Sequence, residues 1–424
     1  MRATALLLAL LWAAPALAQA PLALSPDQVL RSAQAQVRVP HLESRVFTAE
    51  HWWQQTLPLL GADRGFGVEQ IGTSAEGRPL RHVQWGNGPV HVLLWSQMHG
   101  DESTATMALA DLFAWLGSGE DRWAVAQLRQ QLTLHFVPML NPDGAARFQR
   151  RNAQGIDINR DAAALASPEA RALKALRDRI TPQFGFNLHD QRPGYRAGDS
   201  DKATAIALLA PPADAEASLT PVRARAIGVA ASIADVLDGP LHGRLARWDE
   251  TFNPRAFGDL MQQWGTSTVL IEAGGIDGDA QKQELRGHMF VAIVAGLRAI
   301  ADSSYTQADS RHYAALPENG KVWPDLLIRG GTVALPGVAA ARADVLINFD
   351  DALSGQRGRI VDIGDLSHVR ARQSINADGL FIVPMSGATL ANEQPARLHL
   401  SGDAHGDQRL WTLDHDLHQP LPER

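Results

Sequence analysis

"VHVLLWSQMHGDEST", residues 90–104, runs from an unbroken apolar segment to a histidine, a glutamate three residues later, and then small residues that suit a helix. Its first seven residues do not alternate polar with apolar, so as a strand they need cover on both faces, which a sheet between two helical layers provides. Side chains at the carboxyl end of such a strand open onto the crevice where α/β proteins bind ligands. His99 and Glu102 stand at that end, spaced as a metal-ligating H-x-x-E pair. Alone the pair carries little, because the chain has 15 histidines and a glutamate in a helix's first turn is favoured by the helix dipole in any case.

The same pattern extends outward. Strands are predicted at 80–85, 90–96, 132–138, 184–189, 205–210 and 267–273, and helices at 102–116, 121–131, 168–180, 221–237 and 279–301. Residues 61–303 therefore read as an α/β domain, a mixed β-sheet with helices on both faces. Residues 19–60, with their Pro, Gln and Trp, read as a helical lead-in. Residues 304–322 are polar and patternless, which predicts a linker. From 323 to 424, short runs such as "DLLIRGGTVAL" and "GLFIVPM" alternate with Gly, Asp and Asn, predicting a small all-β sandwich.

Composition narrows the function. Of 424 residues 45% are hydrophobic and 20% charged, which is ordinary for two or three globular domains. The formal charge of −7, from 39 basic and 46 acidic residues without a basic run, argues against nucleic acid or an anionic membrane surface as partner. The opening "MRATALLLALLWAAPALAQA" has one Arg, a short apolar run and an A-x-A pattern, the form of a secretory signal peptide cleaved after Ala18. The run is shorter than the roughly 20 residues that span a bilayer, so no membrane anchor is expected. Location in the periplasm or medium is the expectation. There is no Cys, hence no disulfide and no thiolate nucleophile.

His189 closes another apolar strand in "FNLHD". Two histidines and a glutamate form the donor set of catalytic zinc sites that leave a fourth position open. Each histidine alone also reads as a satisfied core residue. Between them lies "NPDGAARFQRRNAQGIDINRD", residues 141–161, and after them "TVLIEAGG" ends a strand at Glu272.

An H-x-x-E pair, an N-P-D-G turn, R-x-N…G-x-D-x-N-R, a strand-end His and a strand-end Glu occur in this order over residues 99–272. In this the chain resembles the M14 family of zinc metallocarboxypeptidases, here of bacterial, exported type. The resemblance implies a zinc-carboxypeptidase-like α/β/α sandwich and one zinc per chain, held by His99, Glu102 and His189. It implies that Asp157 orients a ligand imidazole, whose tautomer such a hydrogen bond fixes. Asn159 and Arg160 match the pair that holds the substrate's terminal carboxylate, a task suited to a guanidinium fork. Arg150 matches the arginine that stabilises the oxyanion, with Arg151 as rival, and Glu272 matches the general base.

The implied activity is hydrolysis of the C-terminal bond of peptides with a free carboxylate. Alternatives are a zinc amidase or deacylase acting on cell-wall peptides or acyl amino acids, and a non-catalytic peptide-binding protein. Two features depart from the family. The region 247–259 lacks the tyrosine that many members fold over the substrate, leaving Trp248, Phe252 or Tyr195 as substitutes. The pocket floor falls near Phe257, which favours an apolar terminal residue, or Asp259, which favours a basic one or the amine of diaminopimelate. The C-terminal runs resemble the β-segments that flank amidohydrolase barrels, but no barrel fits in what remains, so an accessory domain is expected.

Overall fold

The computed structural model describes residues 26–118 and 122–417. The predicted signal peptide, 1–18, lies outside the described residues, as does the start of the lead-in.

Eight strands form one mixed sheet: β1 (Phe66–Thr73), β2 (Pro79–Gly86), β3 (Val90–Ser96), β4 (Leu132–Val137), β5 (Phe184–Asp190), β6 (Ile206–Leu209), β7 (Leu245–Arg247) and β8 (Ser267–Ala273). Their order is β1-β2-β4-β3-β5-β8-β6-β7. The centre, β4-β3-β5-β8, is parallel. On β3, Val92 and Leu94 enter one core and Leu93 and Trp95 the other, the two-sided burial that its unbroken apolar run demands.

Helices cover both faces. α1 (Pro26–Val37), α2 (Ala49–Thr56), α3 (Thr104–Ser118), α4 (Arg122–Gln131), α5 (Pro142–Arg147), α6 (Pro168–Ile180), α7 (Pro221–Leu237), α8 (Phe257–Gln263), α9 (Gln283–Ala301) and α10 (Ser310–Ala315) follow in chain order. Residues of α3, α7 and α9 share the larger core, and those of α6 and α8 the smaller one on the opposite face. Ser167 and Thr220 cap α6 and α7 through their hydroxyls, each followed by a proline that needs no donor there. β1 and β7 were not expected: β1 is an edge strand exposed along most of its length, and β7 has three residues.

The lead-in is built into the domain. Leu30, Leu42, Trp52 and Trp53 belong to the larger core. Beneath it, Arg286 and Asp111, both fully buried, form a two-point ion pair. Asp111 also accepts from Gln34 Nε2 at 2.7 Å and the Val39 amide at 2.8 Å, while Arg286 donates to the carbonyls of Val39 and Leu42.

The stretch predicted as a linker is packed instead. Tyr313 on α10 is buried and its hydroxyl accepts from the Ala210 amide at 3.0 Å, and Tyr305 meets the ring of Phe184 edge-on. Two tyrosines among polar residues give no periodic signal, yet they anchor the segment to α7 and β6.

Beyond it the all-β region forms one sheet from β9 (Leu326–Val333), β10 (Ala341–Asp351), β11 (Gln356–Gly364), β12 (Gln373–Asn376), β13 (Phe381–Pro384), β14 (Arg397–Ser401) and β15 (Arg409–Asp414). The order is β11-β10-β9-β13-β14-β15, with β12 beside β9. The expected sandwich is thus a continuous sheet folded over its own core. Its outer edge β11 meets the segment before β14, where Ile360 N donates to Gln394 O at 2.9 Å and Ala396 N to Gly358 O at 2.8 Å.

Candidate active site

The carboxyl ends of β3, β5 and β8 converge on one cleft. After β3 the chain turns sharply because Gln97 adopts a left-handed conformation, φ 49°. Its carbonyl accepts from Asn141 N at 3.0 Å, which ties this turn to the N-P-D-G segment. Gly100 is required at the contact, since a Cβ there would lie 2.1 Å from the Gly144 carbonyl carbon. Asn141 caps α5 through Gly144 N and reaches the carbonyls of Met98 and Arg150, so the N-P-D-G turn is the brace between the histidine loop and the arginine loop. On the neighbouring strands, His189 and Glu272 stand directly opposite each other in register.

His99, Glu102 and His189 are all buried, and one donor atom from each lies within 4.8 Å of the others. The Nδ1 atoms of both histidines face the Glu102 carboxylate at 2.7 Å, one to each oxygen. Nε2 of His99 meets Asp157 Oδ1 at 3.0 Å. With Asp157 accepting the Nε2 proton, Nδ1 presents a lone pair to a carboxylate, an arrangement that calls for a cation between them. These residues therefore fit a zinc ion by donor type, number and orientation.

A proton competes for the same place on Nδ1. Burial works against charge on His99, but the Glu102 carboxylate and the hydrogen bonds from Asp157 and Glu102 raise its pKa to about 9. Against the cost of burial, His99 and His189 hold Glu102 well below the usual carboxylate range. Glu272 behaves oppositely: burial and the nearby Glu102 charge push it well above that range. Its Oε2 is buried without a hydrogen-bond partner among the described residues.

A cavity of about 640 Å³ opens above these groups, lined among others by His99, Glu102, Arg150, Asn159, Arg160, His189 and Glu272. Arg150 donates from Nη1 to Glu102 Oε1 at 3.1 Å and from Nε to Asp157 Oδ2 at 3.1 Å. Arg151 faces away, donating to the Gly155 carbonyl. Asn159 Oδ1 accepts from Phe257 N at 3.0 Å, and Arg160 Nη1 donates to the Asn159 carbonyl at 2.8 Å. Asp157 thus meets His99 and Arg150 outside the cavity lining, while the other seven residues border the open space.

Phe257 is fully buried against Trp264, whereas Asp259 lines the cavity. Trp248, Phe252 and Tyr195 all border it, with the Tyr195 and Trp248 rings 5.4 Å apart. Sequence reasoning missed Arg45, Asp190 and Lys282. Lys282 Nζ donates to Asp190 Oδ2 at 2.9 Å, Thr104 Oγ1 donates to the same oxygen at 2.6 Å, and all three missed residues line the cavity. Only the Asp190 in "FNLHD", beside a ligand candidate, offered a local signal.

Comparison with known proteins places this geometry. Residues 65–183 match the zinc carboxypeptidase family Peptidase M14. A probable carboxypeptidase 2 of Arthroderma benhamiae is 32% identical over 135 residues, 30% of this chain and 25% of that protein. Carboxypeptidase E of Caenorhabditis elegans is 32% identical over 113 residues, 22% of this chain and 24% of that one. The chain spans about a quarter of the length of these curated relatives. Among solved structures, bovine thrombin-activatable fibrinolysis inhibitor in complex with tick carboxypeptidase inhibitor superposes with a TM-score of 0.50 at 14% identity, over 63% of this chain and 99% of that one. A metallo-carboxypeptidase from Burkholderia cenocepacia gives 0.48 at 19% identity, over 61% and 70%. His189 and Glu272 lie beyond the matched stretch, and the sheet brings them to it. Residues 65–183, which carry the brace, the donor pair and the arginines, are thus similar to the M14 zinc carboxypeptidase domain.

Proposed function

We propose that the chain is a zinc-dependent carboxypeptidase that removes the C-terminal residue of peptides bearing a free carboxylate, exported after loss of residues 1–18. The observation that carries this reading is the meeting, in one cavity, of the His99, Glu102 and His189 donor set, a partnerless buried Glu272 oxygen and Arg160.

His99, Glu102 and His189 would hold zinc, which when bound would supply a Lewis acid for a carbonyl and for water. Asp157 keeps the Nε2 proton of His99 and so keeps Nδ1 free for the ligand role. Arg160 and Asn159 grip the substrate carboxylate, which sets the scissile bond one residue inward. Glu272 takes the proton from the attacking water and passes it to the departing amine, and its raised pKa suits it to hold that proton between the two events. Arg150, nearly half exposed and so free to re-aim, turns its guanidinium to the oxygen that gains charge. Tyr195, Trp248 and Phe252 shield the site in place of the missing tyrosine. Asp259 in the cavity favours a basic terminal side chain, or the second amine of diaminopimelate.

The test is mass spectrometry of a mixed free-acid peptide library incubated with zinc-loaded protein, beside Glu272→Gln. Loss of a single C-terminal residue, abolished by the substitution and absent for amidated peptides, is expected. Internal cleavage, or cleavage that survives the substitution, defeats the reading.

A further inference from the structure

We propose that the hairpin joining β10 and β11 in the C-terminal sheet forms the far wall of the substrate cleft and confines the enzyme to short peptides of about two to four residues. This rests on the carboxypeptidase reading and adds the substrate class. Asp350, Asp351, Ala352, Leu353 and Arg357 line the same cavity as Glu272 and Arg160, although they belong to the other sheet. The cavity measures about 640 Å³, within the roughly 300–1,000 Å³ usual for pockets that take one small ligand.

The wall is held firmly. Asp351 pairs with Arg45, which is buried, donates from Nε to the Ala280 carbonyl at 3.0 Å and lies 4.9 Å over the Phe148 ring. The carbonyl of Arg45 accepts from Ser103 Oγ at 2.6 Å, beside the ligand Glu102. The hairpin tip is braced from behind as well, because Asp351 also accepts from Ser354 Oγ and Arg372 donates to the Ala352 carbonyl at 2.9 Å. At the entry to the C-terminal sheet, the Arg196 guanidinium stacks 3.8 Å over Trp323 and Gly194 O accepts from Trp323 N at 2.9 Å. With these attachments, the domain cannot swing clear without breaking a part-buried ion pair.

Its position determines which part of a substrate it meets. Arg160 and Asn159 neighbour Arg255 and Phe257 at the start of α8. The hairpin's anchors lead instead to Ser103, next to Glu102, and to Ala280, two residues before Lys282. A peptide held by its carboxylate at Arg160 therefore runs across the metal donors toward Asp351 and Leu353, and each added residue extends it by about 3.3–3.6 Å into that wall.

The experiment is a ladder of free-acid peptides of three to ten residues with one shared C-terminal pair, read as kcat/KM on the zinc-loaded full chain. Binding of the same ladder to Glu272→Gln protein is followed in parallel by calorimetry. Wild type is expected to lose at least about tenfold in kcat/KM between tripeptide and decapeptide, and to lose affinity likewise. In Asp351→Ala the difference shrinks to within about threefold, and Leu353→Trp moves the cut-off to shorter peptides. Should Asp351→Ala fail to fold, the wild-type ladder and Leu353→Trp still decide. Equal rates for tripeptide and decapeptide overturn the inference. Length-dependent binding without turnover upholds the wall and defeats the carboxypeptidase reading, and neither binding nor turnover overturns both.

Discussion

Asp259 offers a quantitative test of specificity. Burial, partly offset by its hydrogen bond from the Asn253 amide at 2.8 Å, raises its pKa to about 6. In the free enzyme about nine-tenths of Asp259 is then ionised at pH 7 and about one-tenth at pH 5. A lysine side chain stays cationic across this range, and a charged hydrogen bond to it is worth about 1.5–3 kcal/mol, or roughly 10- to 100-fold in kcat/KM. The ratio of kcat/KM for a Lys-terminated over a Leu-terminated peptide should therefore fall by up to about tenfold from pH 7 to pH 5. Taking this ratio cancels the titration of Glu272 and the zinc ligands, which both substrates share. Asp259→Asn keeps an oxygen for the Asn253 amide and removes the charge, so the ratio should drop about 10- to 100-fold at pH 7 and lose its slope. A wild-type ratio that is flat with pH, or one that Asp259→Asn leaves intact, would refute the reasoning.

Asp157→Asn, which weakens the acceptor at His99 Nε2, should lower zinc affinity by about 10- to 100-fold in chelator competition. An unchanged affinity would remove Asp157 from its orienting role. Arg286→Met leaves Asp111 charged and buried without its main partner, so urea unfolding should show a loss of about 3–5 kcal/mol, and a loss under about 1 would mean that the pair does not staple the lead-in. The folded pKa of His288 is held near 4 by burial and Arg31, and that of His135 near 3 by burial and the charges of His82 and His91. Both lie below the unfolded value of 6.5, so unfolded chains take up these protons first as pH falls. These two groups should then contribute a decline in stability from pH 6.5 toward 4, by up to about 1.4 kcal/mol per unit each, while Asp101 and Asp259, raised to about 6, act in the opposite sense. The difference between the wild-type and His288→Gln profiles over this window should therefore show up to about 1.4 kcal/mol per unit lost from the decline.

The central strands were legible because unbroken apolar runs have one physical solution, and the site was legible because three such runs lead into the His99 and Glu102 pair, His189 and Glu272. The choice between Phe257 and Asp259 was open for a concrete reason. Two positions apart on a helix differ by about 200° of rotation, so α8 must turn one inward and the other to the cleft. "FGDLMQQ" is too short to announce itself as a helix, and without the helix there is no phase. Arg45, Lys282 and the hairpin at Asp351 were out of reach because their partners are remote: Arg45 and Asp351 are 306 residues apart, and neither sits in a periodic segment. The linker expectation failed similarly, since Tyr313 finds its partner 103 residues back.

The burial of the lead-in also bears on how the molecule is made. Arg31 on α1 meets His288 on α9 across 257 residues, and Gln34 needs Asp111, itself matched to Arg286. The opening helix therefore waits for nearly the whole catalytic domain to be synthesised before it has a surface to close on, and pairings so distant form slowly. A nascent chain therefore carries its first helix unmatched for that interval, so the last step of folding joins the two ends of the domain.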